Sequence, residues 1–430
     1  MLMGDMPELM ENILNNLNRE FNSLYSCALR CPKASYKILT FTIIKLLIKK
    51  FIESGATLQE LYLDFFVLDE IQPEICCSLE QNMQFLSRLQ NLSINSISFK
   101  SNFNIESLAT LLKILGNGTT KLNNLNITVP DYYDPQLFQS LICIINSQKQ
   151  LKQFYMIDTY GFSENLPSII SALKSQKQSL QEVRIIGCKF IDVFKVLTNF
   201  ENLETFRVRN CEFSNNKELL KILDKNFYKI KTFEVVTDME FDTLIIVQCI
   251  KMFGSLLQRL KLEAKCEDIV EKSLLLETIK SFCPNITYLY IMDNGLSDQF
   301  QELIGNLQKL QFLTLYSLDA ALEIIENEPR RLMTQFARIL PSTLQYLDIR
   351  NSHLNSYIGI LINHCNAPLK KLLISYLYDE KNAKALIEFS IRKRTLNYVG
   401  VYDMYSYNNF KKEMEGYITL VLYENAVVDL

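Results

Sequence analysis

The chain has 430 residues, 48% of them hydrophobic, with 45 basic and 48 acidic side chains and a formal net charge of -3. This apolar content fills a large core, and the near-even charge balance excludes the overall basic excess that drives nucleic-acid binding. The most apolar stretch, Ile38 to Ile52, carries Lys45, Lys49 and Lys50 and is too short and too charged to span a membrane, so neither a nucleic-acid nor a membrane partner is expected.

Met1 to Pro7 has no basic region followed by an apolar run, and so does not read as a secretory signal. The 11 cysteines are scattered and form no C-x-x-C, which reads as reduced, buried thiols in a cytoplasmic or nuclear protein. Pro7 sits where a first helical residue is tolerated, and Leu9, Ile13, Leu14 and Leu17 follow at helical spacing. A second short helix is predicted from Ser23 to Leu29, with Leu24 on its apolar side. This pattern resembles the first two of the three helices of an F-box. The resemblance implies that Pro7, Leu9, Ile13, Leu14, Leu17 and Leu24 face a Skp-type adaptor protein. The family continues into a Trp-bearing third helix, whereas this chain reads Arg30-Cys31-Pro32-Lys33 and contains no Trp. The expected adaptor grip is therefore weak. The other reading of residues 1–57 is a helical cap over the first unit of the array that follows.

From Leu58 onward one pattern recurs. Its clearest copies place Leu180, Val183, Ile185, Cys188 and Phe190, then Leu203, Phe206, Val208, Cys211 and Phe213, in the template L-x-x-L-x-L-x-x-N/C-x-L. Ile286, Leu289, Ile291, Asn294 and Leu296 fit it again, as do Leu344, Leu347, Ile349, Ser352 and Leu354. The first three apolar positions alternate around a short strand and point into a core; the polar slot turns the chain before a helix begins. Equivalent starts are read at Leu58, Leu89, Leu122, Leu151, Leu180, Leu203, Ile230, Leu257, Ile286, Leu310, Leu344, Leu369 and Leu396. The mean interval of roughly 28 residues is long enough for a helix after each strand. Ile105, Leu108, Leu112 and Leu115, and Leu137, Leu141 and Ile145, show the helical spacing expected between starts. Ile418 to Leu422 reads as a closing strand, and the long interval from Leu310 to Leu344 as a longer helix plus loop around the charged run Glu323 to Arg331.

The array resembles the ribonuclease-inhibitor-like class of leucine-rich repeats. That resemblance implies an α/β solenoid of about 13 repeats over 58–430, a horseshoe with a parallel sheet on the concave side and helices on the convex side. With the F-box-like start, the whole chain resembles fungal F-box/leucine-rich-repeat proteins. These are substrate-recognition subunits of SCF-type ubiquitin ligases, in which the repeats select a protein substrate.

The sequence has no phosphate-binding glycine loop, no dinucleotide fingerprint and no H-E-x-x-H, and only two histidines, His353 and His364, so no catalytic site, cofactor or metal is expected. The expected site is a binding surface. Residues between the apolar anchors of each strand point away from the core. Aligned across repeats, they give Arg184, Arg207, Arg209, Arg259 and Lys261 in the middle of the array. Toward the C-terminus they give Tyr288, Tyr290, Phe312, Tyr316, Tyr346, Tyr398 and Tyr402. Exposed aromatics and arginines are the composition of binding hot spots. The expectation is an apolar strip of Tyr288, Phe312 and Tyr346 bordered by Asp348 and Arg350, with the basic cluster steering an acidic partner. Two other functions fit the same residues: a scaffold or inhibitor with no ubiquitin-ligase role, and a GTPase-activating protein, for which no functional loop residue stands out.

Overall fold

The computed structural model describes residues 46–64, 73–95, 105–129, 134–158, 166–197, 200–213, 229–238, 242–264, 268–292, 296–316, 328–350, 353–377, 380–402 and 404–427. The chain divides into two compact units, Met1–Leu180 and Gln181–Leu430. The F-box-like residues Pro7, Leu9, Ile13, Leu14, Leu17 and Leu24 lie outside the described residues, as do Glu323 to Asn327 of the long interval. Residues 46–53 are helical.

Among the described residues there are fourteen strands, all parallel, in sequence order. The first unit holds β1 (Glu60–Asp64), β2 (Asn91–Asn95), β3 (Asn124–Val129) and β4 (Gln153–Asp158). The second holds β5 (Glu182–Ile186), β6 (Thr205–Arg209), β7 (Thr232–Val236), β8 (Arg259–Glu263), β9 (Tyr288–Met292), β10 (Phe312–Tyr316), β11 (Tyr346–Asp348), β12 (Lys371–Ile374), β13 (Tyr398–Val401) and β14 (Thr419–Leu422). Each of the first thirteen begins two residues after its anchor at Leu58 through Leu396, and the fourteenth is the closing strand. This is the leucine-rich-repeat fold.

Register is set by the anchors. Val183 pairs with Phe206, Phe206 with Phe233, and Phe233 with Leu260, so one apolar row runs unbroken beneath the sheet. Shifting any strand by one residue would turn its row to the wrong face. Helices cover that apolar face. In the first unit α1 (Pro73–Gln81), α2 (Ile105–Gly118), α3 (Pro135–Ser147) and α4 (Leu166–Ala172) pack in succession. Leu108, Leu112 and Leu115 of α2 and Leu137, Leu141 and Ile145 of α3 are all fully buried. The second unit carries α5 (Phe190–Leu197), α6 (Thr243–Phe253), α7 (Ile269–Phe282), α8 (Asp298–Asn306), α9 (Glu328–Ile339), α10 (Ile358–His364), α11 (Glu380–Lys393) and α12 (Met404–Met414). From α6 to α12 each helix packs on the next.

The turns between layers are satisfied by side chains. The Gln148 amide donates to the carbonyls of Thr119 (2.9 Å) and Ile144 (2.8 Å), while its oxygen accepts from the Leu122 N–H at 3.0 Å. Gln176 repeats the device one repeat later, donating to Ile145 and Gln148 carbonyls. Buried backbone groups left without such partners would cost more than the bonds contribute. Asp134 caps α3, its carboxylate accepting from the Leu137 N–H at 2.9 Å with Pro135 in the first helical position. Replacing Asp134 with alanine should lower stability by about 1 kcal/mol, read as a shift in the midpoint of urea unfolding. A change within the scatter of the wild-type midpoint would mean that another group holds that N–H.

Beyond β10 the burial pattern changes. Strands β5, β6 and β8 alternate between buried and half-buried residues, but β11 is buried at all three positions and β12 and β13 at their last three. The covering segment is the chain's own C-terminal turn, Tyr423–Asn425 and the residues after it. Ala426 packs with Tyr346 and Leu373 in a second small core, on which Phe312, Val421 and Val427 also rest. Gly400 makes the close approach feasible. A Cβ there would lie 3.1 Å from both Ala426 Cβ and Leu373 Cγ.

Candidate binding surface

The helix-free face of the sheet is built in rows, because in-register parallel strands stack equivalent positions about 4.8 Å apart. In the first unit Tyr62, Ser93, Asn126 and Tyr155 align. Beside them an amide relay runs strand to strand: Asn124 donates to Asn91 at 2.6 Å and Asn91 to Glu60 at 2.8 Å.

In the second unit Arg184, Arg207, Glu234, Lys261, Tyr290, Thr314, Asp348, Leu373 and Gly400 form one row, the alignment read from the sequence. The neighbouring row holds Glu182, Thr205, Thr232, Arg259, Tyr288, Phe312, Tyr346, Lys371 and Tyr398.

Acidic neighbours are threaded among the basic residues. Arg207 lies 3.5 Å from both Glu182 and Glu234. Arg209 donates to Glu234 Oε1 through Nε at 2.9 Å and Nη2 at 2.6 Å. Glu234 is buried, at 7% exposure, while Arg184, Arg207 and Arg209 are half-buried. Lys261 reaches Glu263 at 3.1 Å and sits 4.5 Å from the centre of the Tyr290 ring. Arg259 lies 4.7 Å over the Tyr288 ring. The sequence signal for this pairing was already in the row, which holds Glu234 between Arg207 and Lys261. Only the arrangement in space shows that the acids lock the cations in place.

The aromatic residues divide into two sets. Tyr290 and Tyr316 are half-buried and stack with ring centres 6.4 Å apart. Burial, reinforced by the negative charge of nearby Glu263, pushes the Tyr290 hydroxyl up, so it stays protonated. Tyr398 and Tyr402 are exposed, and the Tyr402 ring lies tilted against Tyr423 with centres 4.9 Å apart. The expected open strip of Tyr288, Phe312 and Tyr346 is a strip in geometry, with ring separations of 6.4 and 5.9 Å, but not an open one. Tyr288 is 7% exposed and Tyr346 only 2%, because Arg259 lies over the first and the C-terminal turn packs against the second. Asp348, expected as a charged border, is also buried. Arg350 forks onto it, with Nε at 2.9 Å from Oδ1 and Nη2 at 2.7 Å from Oδ2. Tyr423 and Ala426, the covering residues, were not anticipated. The apolar residues Ala426 and Val427 after β14 and a glycine at a position otherwise filled by side chains were the available signals.

His353 opens the turn after β11, and His364 is the last residue of α10, its Nδ1 3.0 Å from the Ile360 carbonyl. Among the described residues no three His, Cys, Asp or Glu side chains gather where they could hold a metal ion, and no helix is long and apolar enough to cross a membrane.

No family model matches the chain, and no curated protein matches it. Solved structures with a similar arrangement include the yeast Rad7 and Elc1 complex, at 14% identity and a TM-score of 0.45, covering 98% of each chain. The leucine-rich-repeat protein LegL7 from Legionella pneumophila is 13% identical with a TM-score of 0.39, over 67% of this chain and 89% of that one. The Leptospira interrogans protein LIC12759 is 13% identical with a TM-score of 0.32, over 87% of this chain and 98% of that one. At these TM-scores none of the three informs the function of this chain.

Proposed function

We propose that the chain is a non-catalytic recognition protein that holds an acidic partner protein on the helix-free face of the Gln181–Leu430 unit, over β5 to β10. The observation that carries this reading is the composition of that face. It presents Arg184, Arg207, Arg209, Arg259 and Lys261 against Glu182, Glu234 and Glu263, beside the stacked Tyr290 and Tyr316. The acids hold the longer cationic side chains in fixed positions, which lowers the entropy lost when a partner docks. The basic excess steers an acidic surface, and the tyrosine rings supply contact area at low rotamer cost.

The test is affinity capture with the full chain as bait, compared with Arg207→Glu, Lys261→Glu and, on the helix side, Lys280→Glu. The expected result is a partner retained by wild type and Lys280→Glu but lost from the two face variants, with association slowed by added salt. Equal retention by all four baits sinks the reading.

The finer reading follows from the F-box-like start. Leu9, Ile13, Leu14 and Leu17 then dock on a Skp-type adaptor, and the chain serves an SCF-type ubiquitin ligase in the cytoplasm or nucleus as its substrate-recognition subunit. With only two of the three F-box helices represented, adaptor affinity should fall at least tenfold below that of an intact F-box, since hot-spot contacts need a fully packed interface. Titration of a Skp-type adaptor against the full chain, with and without residues 1–30, checks it. Binding that survives the deletion rules out this docking mode and leaves a recognition protein with no ligase role.

A further inference from the structure

The polar slot of the repeat holds cysteine in two consecutive units, Cys188 after β5 and Cys211 after β6. Their Sγ atoms face each other at 2.8 Å. Both side chains are closed off from solvent, at 0% and 1% exposure. Cys211 also reaches the Arg209 carbonyl at 3.4 Å and the Ile185 carbonyl at 3.9 Å, both longer than the sulfur–sulfur contact.

We propose that Cys188 and Cys211 are an oxidation site, at which hydrogen peroxide or another small peroxide links the two thiols into a disulfide that ties the β5 repeat to the β6 repeat. Three features of the backbone support it. The residues before the two cysteines, Gly187 and Asn210, both adopt left-handed backbone, with φ of 73° and 47°, so the two turns are copies of each other. The turns are locked in register by an isolated bridge between Lys189 and Glu212. Glu212 N–H donates to the Cys188 carbonyl at 2.7 Å and Phe190 N–H to the Glu212 carbonyl at 2.9 Å. Neighbouring parallel strands run about 4.8 Å apart, inside the Cα separation of roughly 4.4–6.8 Å that a disulfide accepts. The sulfurs therefore need to close by only roughly 0.8 Å to reach a bond of about 2.05 Å, a movement that side-chain rotation supplies without moving the sheet.

The chemistry balances with the peroxide as oxidant. One thiol, as its thiolate, attacks a peroxide oxygen. An S–O bond forms, the O–O bond breaks, and hydroxide leaves and takes up the proton, giving a sulfenic acid and water. The second sulfur then attacks the first. The S–S bond forms, the S–O bond breaks, and the departing hydroxide takes the second thiol's proton as water. Two thiols lose two electrons and two protons, and one hydrogen peroxide becomes two waters. Burial restricts the reaction to small uncharged oxidants and blocks exchange with a folded protein's disulfide, because such exchange needs in-line access to the sulfur.

The test uses the full chain, reduced and then treated with hydrogen peroxide, alkylated and digested with trypsin. Cys188 falls in the fragment Ile185 to Lys189 and Cys211 in the fragment Asn210 to Lys217. The expected result is one cross-linked species of these two fragments, lighter by two hydrogens than their sum and separated again by dithiothreitol. Cys77 and Cys143, exposed on helix surfaces although the sequence predicts buried thiols, report in the same digest that oxidant was present. Buried Cys283, whose thiol is pushed up to about 12 by burial, should be recovered alkylated after unfolding. Oxidation should also raise the thermal midpoint reversibly in wild type, and leave it unchanged in Cys188→Ser, a variant with the residue type found at Ser352 in the same slot. The proposal is overturned if Cys77 and Cys143 are oxidised while both target fragments are recovered alkylated. Cross-linking of either cysteine to any thiol other than its neighbour overturns it equally. Should Cys188→Ser fail to fold, the wild-type fragment pattern alone decides.

Discussion

Replacing Phe233 with alanine should destabilise the protein by about 3–5 kcal/mol, the cost of removing a fully buried ring whose surroundings collapse only partly. Phe233 is 0% exposed and central to an aromatic run. Its ring stacks on Phe206 at 5.8 Å and meets Phe253 of α6 edge-on at 5.1 Å. Phe206 in turn lies 6.0 Å from Phe190, which stacks on Phe194 and Phe213. The rings belong to successive repeats, so the deletion breaks contact between units as well as within one. In an array whose stability is largely a sum of neighbour terms, that contact has no distant substitute. The control is Phe282→Ala, a side chain 41% exposed on α7, which should change stability by no more than about 0.5 kcal/mol. Urea unfolding followed by circular dichroism measures both. A loss under about 1 kcal/mol at Phe233 would show that the sheet and helix layers close over the vacancy.

The second large effect lies in the buried ion pair of β11. Arg350→Met should cost about 3 kcal/mol, because it leaves the Asp348 carboxylate, 2% exposed, without its countercharge. Among the described residues the carboxylate then keeps the Arg350 backbone N–H at 3.1 Å and the Tyr346 hydroxyl at 3.3 Å. Burial works against charge on Arg350, but its hydrogen bonds to Asp348 outweigh this and raise its pKa above the ordinary value. The variant also removes the guanidinium lying 4.8 Å over the Tyr423 ring, loosening the C-terminal turn. The double variant Asp348→Asn with Arg350→Met should recover much of the loss, since a buried pair replaced as a whole is often near neutral. A double-mutant cycle on unfolding free energies separates the cases. If Arg350→Met alone is neutral, the carboxylate is hydrated and the pair is not closed off.

The repeat anchors made the fold legible. Leu58 through Leu396 located thirteen strands to the residue, because an apolar side chain at each anchor has only one layer in which to be buried. The row containing Arg184, Arg207, Glu234, Lys261 and Tyr290 was legible for the same reason, since register follows from the anchors. What covers a row does not follow from the row. Tyr346 and Phe312 read as open because neighbours were inferred only from adjacent repeats, and the segment that closes over them lies near residue 426. The state of the cations was similarly hidden. Arg209 and Glu234 sit in different rows and meet only because their side chains cross the gap between strands.

The folded-back turn after β14 also bears on how such a chain can lengthen. Repeat arrays grow by tandem duplication of units. Copying a unit between β5 and β9 would extend every row and leave its neighbours' contacts unchanged. A unit added behind β14 would meet the segment from Tyr423 to Val427, which lies against Tyr346, Leu373 and Gly400. The new strand would have to evict Ala426 and uncover two aromatic rings before its own anchors found a core. Duplication inside the array disturbs none of these contacts, and close relatives of different repeat number should differ there while keeping Gly400 and the segment that rests on it.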